Sequence, residues 1–161
     1  MPRLHRRGRE RRRDVVIEFV QGDIFKSGAD ALVDPVNCVG TMGKGLALEF
    51  KKRFPTPSKI YIEACKRGEV RLGTMHVVDG YEKPIIISFP TKQHWRDSSR
   101  LQSIVSGLDD LRLVIQEKQI KSVAVPALGC GNGGLRWADV KPEIQSALHG
   151  IDARVLVYGG K

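Results

Sequence analysis

The sequence predicts an α/β protein of three layers, in which helices cover both faces of a mixed, largely parallel central sheet. Short runs of β-branched and other apolar residues alternate along the chain with longer segments of helical periodicity. The joins between these segments are short, as expected when helices cross over between parallel strands. One strand candidate, residues 84–89, is apolar almost throughout, which is typical of a strand buried on both faces.

The bulk composition fits a single soluble domain. The chain has 161 residues, of which 41% are hydrophobic, and no apolar run approaches the roughly 20 residues that a membrane-spanning helix needs. The basic start is not followed by the apolar segment of a secretory signal. Cys38, Cys65 and Cys130 are widely spaced, so we expect neither a disulfide framework nor a metal site. These features predict a cytoplasmic protein without a membrane partner.

The positive charge is concentrated at the N-terminus. Residues 1–13 contain seven arginines and one glutamate, which account for most of the net charge of +9. Because this segment lacks apolar periodicity, we expect residues 1–13 to form a disordered, Arg-rich tail and residues 14–161 to form the domain. The tail is consistent either with electrostatic binding of nucleic acid or with a solvated extension.

The first half of the domain is expected to contain three strands and two helices. The strands are predicted over residues 15–20, 31–37 and 75–78, and the helices over residues 46–54 and from 56 to Gly68. Thr56 and Pro57 suit the start of the second helix, because threonine can cap it and proline is favoured at the first helical position.

The second half contains the clearest helix. Ser99 and Gln102 have the spacing of a capping box, and an apolar stripe follows with helical period. The stripe consists of Leu101, Ile104, Val105, Leu108, Leu111 and Ile115. A strand over residues 121–126, a helix over residues 137–148 and a closing strand over residues 154–158 complete the chain.

Two glycine-rich segments each join a predicted strand to a predicted helix. The first glycine loop comprises residues 40–45, and the second, residues 129–135, lies within the stretch LGCGNGGLRW at residues 128–137. Such turns bring backbone N–H groups close to phosphate oxygens. The chain contains no P-loop pattern G-x-x-x-x-G-K-[ST], and no dinucleotide-binding fingerprint G-x-G-x-x-G follows the first strand. The first glycine loop is therefore not expected to form an ordinary ATP or NAD site.

Polar residues follow several strands. Asp23 after the first strand can accept a hydrogen bond from a base amino group or simply form a turn, and Asn37 opens the first glycine loop. Lys92 follows the apolar strand; it can serve as a nucleophile or be an exposed loop lysine. His94 and Trp95 can stack on a base or ribose, or pin their loop to the domain.

These residues are expected to meet at one place. In open α/β sheets, ligands bind beyond the carboxyl ends of the strands. Both glycine loops, Asp23, Asn37 and Lys92 come after predicted strands. The sequence therefore predicts a single cleft that holds a phosphate-containing ligand.

The chain resembles the macrodomain family from about Val15 onward. The similar segments are residues 22–24 (GDI), 34–37 (DPVN), 40–47 (GTMGKGLA) and 129–137 (GCGNGGLRW). Within that family, the first glycine loop and residues 89–92 (FPTK) look most like DarG-type antitoxin macrodomains. The resemblance implies the three-layer α/β/α macrodomain fold and a cleft for ADP-ribose.

The resemblance also implies a role for each segment. Asp23 and the N–H group of Ile24 would bind adenine, and Lys92, preceded by Pro90 and Thr91, would be the catalytic lysine. The distal ribose would be held by Asn37, Thr41, Met42, Gly43, Lys44, Gly45 and Leu46. The diphosphate would be held by Gly129, Cys130, Gly131, Asn132, Gly133, Gly134 and Leu135. No metal or cofactor is implied, since ADP-ribose is the ligand and product.

The implied activity is that of an ADP-ribosyl glycohydrolase acting on thymine bases in DNA. Two alternatives are hydrolysis of ADP-ribosyl-glutamate on proteins and non-catalytic reading of ADP-ribose. A related glutamate-directed enzyme carries an acidic residue where this chain has Gly133, which favours thymine. The expected partners are ADP-ribose, ADP-ribosylated DNA or protein, and a toxin if the chain is part of a longer antitoxin. We expect the domain to be a monomer.

Overall fold

The computed structural model describes residues 17–159, which form a six-stranded sheet. The strands are β1 (Ile17–Val20), β2 (Ala31–Asn37), β3 (His76–Val78), β4 (Ile85–Lys92), β5 (Ser122–Val125) and β6 (Arg154–Tyr158). Their order is β1-β6-β5-β2-β4-β3, and all neighbours are parallel except β3, which runs antiparallel to β4. The expected tail over residues 1–13 and the first residues of the first predicted strand lie outside the described part.

Four α-helices cover the sheet, two on each face. They are α1 (Gly45–Arg53), α2 (Pro55–Lys66), α3 (Leu101–Glu117) and α4 (Trp137–Leu148). The alternation of strand side chains creates two cores: Val33 and Ile87 pack with α3 and α4, whereas Leu32 and Ile86 pack with α1 and α2. The predicted three-layer architecture with a mixed, largely parallel sheet is confirmed.

Two predicted helix starts were wrong. Helix α2 begins at Pro55, so the cap position is Phe54 and Thr56 lies inside the first turn. Pro55 occupies the first helical position. An N–H group there would have no partner within the helix, so proline loses no hydrogen bond. Helix α3 begins after Arg100, and no side chain caps it. Ser99 does not form the expected capping box, because it is buried and its N–H group donates to the carbonyl oxygen of Gly133 (2.9 Å).

The apolar strand is longer than predicted. It continues through Pro90 and Thr91 to Lys92, which pairs with Asn37 after an irregularity in the β2–β4 register. Proline can be accommodated here because β3 pairs only with the segment 86–88, so the later part of β4 has a strand neighbour on one side. Lys92 is therefore fixed by the sheet and is not a loop residue.

Helix α3 approaches β4 closely through a glycine. Its stripe includes the fully buried Ile104, Leu108 and Leu111. On the same side, a Cβ atom at Gly107 would contact the Phe89 ring, with Cε1 of that ring at 2.5 Å. The absence of a side chain at this position sets the distance between helix and sheet.

We predict that Gly107→Ala destabilises the domain. Alanine favours a helix over glycine by about 1 kcal/mol, but overpacking against Phe89 costs about 1–3 kcal/mol and is expected to dominate. Urea unfolding of the purified domain measures the difference. In a Phe89→Leu background, adding Gly107→Ala should lower the free energy of unfolding by less than it does in the wild type, since the smaller side chain at position 89 leaves room for the methyl group. A stabilised Gly107→Ala variant would contradict the packing argument.

Candidate functional site

A cleft of about 770 Å³ opens at the carboxyl ends of the five parallel strands. Residues at the end of each of these strands, or shortly after it, line the cleft, so the cleft is a direct product of the sheet topology. Fourteen of the residues proposed from sequence line it: Asp23, Ile24, Asn37, Thr41, Gly43, Lys44, Gly45, Leu46, Thr91, Lys92, Gly129, Gly131, Asn132 and Gly133.

Asp23 both shapes and lines one end of the cleft. It follows β1 and caps a single turn of 3₁₀ helix over Ile24–Lys26, with its Oδ1 atom accepting the N–H group of Phe25 (2.9 Å). The two interpretations of this residue from sequence are therefore compatible. One carboxylate oxygen fixes the turn, and the residue remains exposed to the cleft.

Asn37 organises the start of the first glycine loop. Its Oδ1 atom accepts the N–H groups of Val39, Gly40 and Thr41 (3.1, 3.0 and 3.2 Å), and its Nδ2 atom donates to the carbonyl oxygen of Thr41 (2.9 Å). The hydroxyl of Tyr61 donates to the carbonyl oxygen of Asn37 from helix α2 (2.5 Å). The side chain thus folds the loop, in addition to lining the cleft.

The two glycine loops approach one another across the cleft. Gly45 adopts a positive φ of 62°, and a Cβ atom on it would lie 3.1 Å from Nδ2 of Asn132. Helix α1 begins at Gly45, so its first N–H groups lie at the cleft. The two loops therefore meet at the cleft, and residues of both line it.

The second glycine loop is closed by its own backbone and by Ser99. Leu135 N–H donates to the carbonyl oxygen of Gly129 (2.9 Å), and Ser99 N–H donates to that of Gly133. A Cβ atom at Gly133 would lie 2.5 Å from the Gly129 carbonyl oxygen and would contact the Ser99 hydroxyl. In this conformation the loop has no space for any side chain at position 133.

Lys92 is held at the end of β4. Its side chain is half-buried and lines the cleft, while the adjacent Thr91 is buried and donates to the carbonyl oxygen of Val36 (3.3 Å). Lys44 is the other lysine among the residues that line the cleft.

Five residues proposed from sequence lie behind the cleft surface. Met42 belongs to the core beneath α1, Pro90 is buried in β4, and Leu135 packs beneath Gly129. The other two are Cys130 and Gly134. None of the five is among the residues that line the cleft.

Sequence reasoning missed several lining residues. Pro126 and Ala127 follow β5, Tyr158 ends β6, Gly159 follows it, and Ala47 lies in the first turn of α1. Positions at or after the ends of predicted strands were a usable signal for most of them. However, the side chains other than that of Tyr158 do not suggest ligand chemistry, and Tyr158 was assigned only to the closing strand.

Asp34 is a buried acid beside the site, in the middle of β2. It is 1% exposed, and its Oδ1 atom has no hydrogen-bond partner among residues 17–159. Burial raises the pKa of the Asp34 carboxyl well above its ordinary value. The group is therefore favoured in its neutral form within the fold.

Within the described residues, no group of three or more His, Cys, Asp or Glu side chains is placed to hold a metal ion. No helix between residues 17 and 159 is long and apolar enough to cross a membrane.

The sequence matches the Macro domain family over residues 33–144. The chain belongs to this family. This macro domain is 50% identical, over 147 residues, to the DNA ADP-ribosyl glycohydrolase of Mycobacterium tuberculosis, covering 89% of the chain and 42% of that protein. The chain thus spans about two fifths of the length of this relative.

Two solved structures extend the comparison. The macrodomain of Mycobacterium tuberculosis DarG superposes with a TM-score of 0.87 at 49% identity, covering 91% of this chain and 99% of that one. Thermosipho africanus DarTG in complex with ADP-ribose gives a TM-score of 0.85 at 36% identity, covering 89% and 41%. The resemblance to DarG-type macrodomains is therefore confirmed.

We predict that Gly133→Ala destabilises the macro domain, by about 1–3 kcal/mol if the loop cannot relax, because the added methyl group meets Ser99 and the Gly129 carbonyl oxygen. Thermal unfolding measures the loss. Gly131 in the same loop has open space at its Cβ position, so Gly131→Ala is the matched control and should unfold near the wild-type temperature. Equal losses for the two variants would contradict the crowding argument.

We predict that Asp34 makes stability fall as pH rises. A carboxyl with a raised folded-state pKa contributes stability fully below its unfolded pKa, about 3.9, and loses it as pH rises through the folded pKa. The asparagine in Asp34→Asn does not titrate. The unfolding temperature of this variant should therefore rise relative to that of the wild type as the pH increases. A difference that is constant with pH would contradict the prediction.

Proposed function

We propose that this macro domain is an ADP-ribosyl glycohydrolase that removes ADP-ribose from thymine bases in DNA, with Lys92 as the catalytic residue. The observation that carries the proposal is the position of Lys92 at the end of β4, in the cleft that both glycine loops line. The name of the Mycobacterium tuberculosis relative, a DNA ADP-ribosyl glycohydrolase, supports the same reaction.

ADP-ribose has chemical groups that match the cleft. Asp23 offers a carboxylate oxygen for the adenine amino group. The second glycine loop and the start of α1 offer backbone N–H groups for the diphosphate, which favours a site at a helix N-terminus. The first glycine loop, shaped by Asn37, would then surround the distal ribose near Lys92.

Lys92 is proposed to act at the anomeric carbon of the distal ribose. As a nucleophile, its amine forms a bond to that carbon while the bond to thymine breaks, and water then hydrolyses the adduct. As a base, the amine takes a proton from the water that attacks the same carbon. Mass spectrometry of rapidly quenched reactions separates these roles, because only the first leaves ADP-ribose attached to Lys92.

Gly133 supports thymine over glutamate as the target. A mechanism that needs a carboxylate at this position has no room for one, since Ser99 and Gly129 occupy the space of a Cβ atom.

We expect Lys92→Ala to abolish turnover while retaining ADP-ribose binding, because both glycine loops remain intact. Release of ADP-ribose from thymine-modified DNA measures turnover, and calorimetry measures binding. General acid–base or nucleophilic contributions of this kind are worth at least about 100-fold in rate. Lys121→Ala changes an exposed lysine before β5 and serves as the control. Undiminished activity of Lys92→Ala would exclude this residue as the catalyst.

A parallel assay on glutamate-modified protein tests the alternative substrate. Cleavage of the DNA substrate alone supports the proposal, and cleavage of the protein substrate alone replaces it with the glutamate-directed activity. Tight ADP-ribose binding without turnover on either substrate identifies a reader. The match covers 42% of the Mycobacterium tuberculosis relative. A toxin partner is therefore proposed only for a longer protein that contains this domain.

A further inference from the structure

An aromatic and basic cluster lies two to four residues beyond Lys92. It consists of His94, Trp95 and Arg96, here called the 94–96 cluster. Trp95 lines the cleft together with Lys92, yet it is 40% exposed. Part of the indole surface is therefore available to a molecule in the cleft, next to Lys92. Tryptophan combines a large apolar surface with an N–H group, which suits a ligand that has both a flat ring and polar groups.

The turn that carries Trp95 is rigidly braced. His94 N–H donates to Oδ2 of Asp97 (3.0 Å), Asp97 N–H donates back to the carbonyl oxygen of His94 (2.9 Å), and Arg96 N–H donates to Nδ1 of His94 (3.1 Å). The preceding Gln93 carbonyl oxygen accepts the N–H group of Cys38 (2.9 Å), which ties the turn to the end of β2. Trp95 is thus pre-positioned, which lowers the entropy cost of using it to bind a ligand.

The Trp95 side chain contacts the other two side chains of the cluster. The rings of His94 and Trp95 lie 5.4 Å apart at an interplanar angle of 30°, and the Arg96 guanidinium lies 4.6 Å from the centre of the indole. Such contacts hold the indole in place and add positive charge beside it. An aromatic ring next to a cation suits a nucleobase linked to phosphates, as in proteins that bind single strands.

The charge of the cleft agrees with such an occupant. Its lining includes two lysines, Lys44 and Lys92, and one acid, Asp23, to which Arg96 adds a third cation at the Trp95 side. A glutamate side chain on an acceptor protein offers no flat surface for the indole, whereas thymine does.

We propose that Trp95 stacks against the thymine that carries ADP-ribose, and so recognises the target base beyond the ribose. This inference rests on the proposed function, because it takes ADP-ribosyl-thymine as the ligand. Trp95 is a substrate-positioning residue in this scheme: it contributes to binding the modified nucleotide and not to binding free ADP-ribose.

The test measures binding without turnover, in the Lys92→Ala protein. Three ligands are compared: free ADP-ribose, ADP-ribosylated thymidine, and a single-stranded oligonucleotide with one ADP-ribosylated thymine. Adding Trp95→Ala should weaken binding of both thymine-containing ligands by about tenfold, the scale of one base stacked on an aromatic ring, and leave free ADP-ribose within about twofold. Adding Trp95→Phe should restore most of the lost affinity.

Tyr81 provides a matched control. It is 66% exposed and lies outside the residues that line the cleft, so Tyr81→Ala should leave the affinities for all three ligands unchanged. A weakening by Tyr81→Ala equal to that by Trp95→Ala would show a general effect of exposed aromatic side chains and would overturn the proposal.

The remaining outcomes are equally decisive. If Trp95→Ala weakens binding of all three ligands equally, Trp95 contacts ADP-ribose itself. If only the oligonucleotide loses affinity, Trp95 contacts a neighbouring base, and if no ligand loses affinity, Trp95 has no role in binding. Each of these results overturns the proposal. Because binding is measured without turnover, a wild-type protein that fails to cleave thymine-modified DNA refutes the proposed function separately.

Discussion

Five strands of this domain run in the same direction, and the cleft exists because their carboxyl ends share one edge of the sheet. Residues that are far apart in sequence, such as Asp23, Lys92 and Gly131, meet there without any long connection. The hydrophobic layers on both faces fix the relative positions of the strands, and therefore of the loops that follow them. The geometry of the site is thus set by the core and not by the loops alone.

The loops are shaped mainly by contacts that leave backbone donors at the cleft. Asn37 folds the first glycine loop by accepting three N–H groups, and Ser99 braces the second through Gly133. Gly45 and Asn132 show how closely the loops approach. Under the proposed function, the loops would bind the phosphates of ADP-ribose, while Lys92 and Trp95 would determine which bond is cleaved and which target is accepted.

Sequence reasoning failed where a local pattern competed with a tertiary contact. Ser99 and Gln102 have the spacing of a capping box, but burial against the second glycine loop takes Ser99 away from the helix. Lys92 was expected to follow the apolar strand at residues 84–89, yet pairing with β2 continues through Pro90 and Thr91 to Lys92. Ala127 and Gly159 line the cleft, but only their positions after predicted strands indicated this, because neither has a side chain that suggests ligand chemistry.

The sequence by itself determined the fold class, the two glycine loops and the choice of Asp23, Asn37 and Lys92 as cleft residues. It could do so because apolar periodicity and the residues at strand ends depend on local structure and on the direction of the strands. The tertiary structure decided what those residues can do. It showed that Gly133 has no space for a side chain and that Asn37 folds its own loop. It also left Trp95 exposed beside Lys92. These facts depend on atoms that belong to distant parts of the chain, and no local pattern contains them.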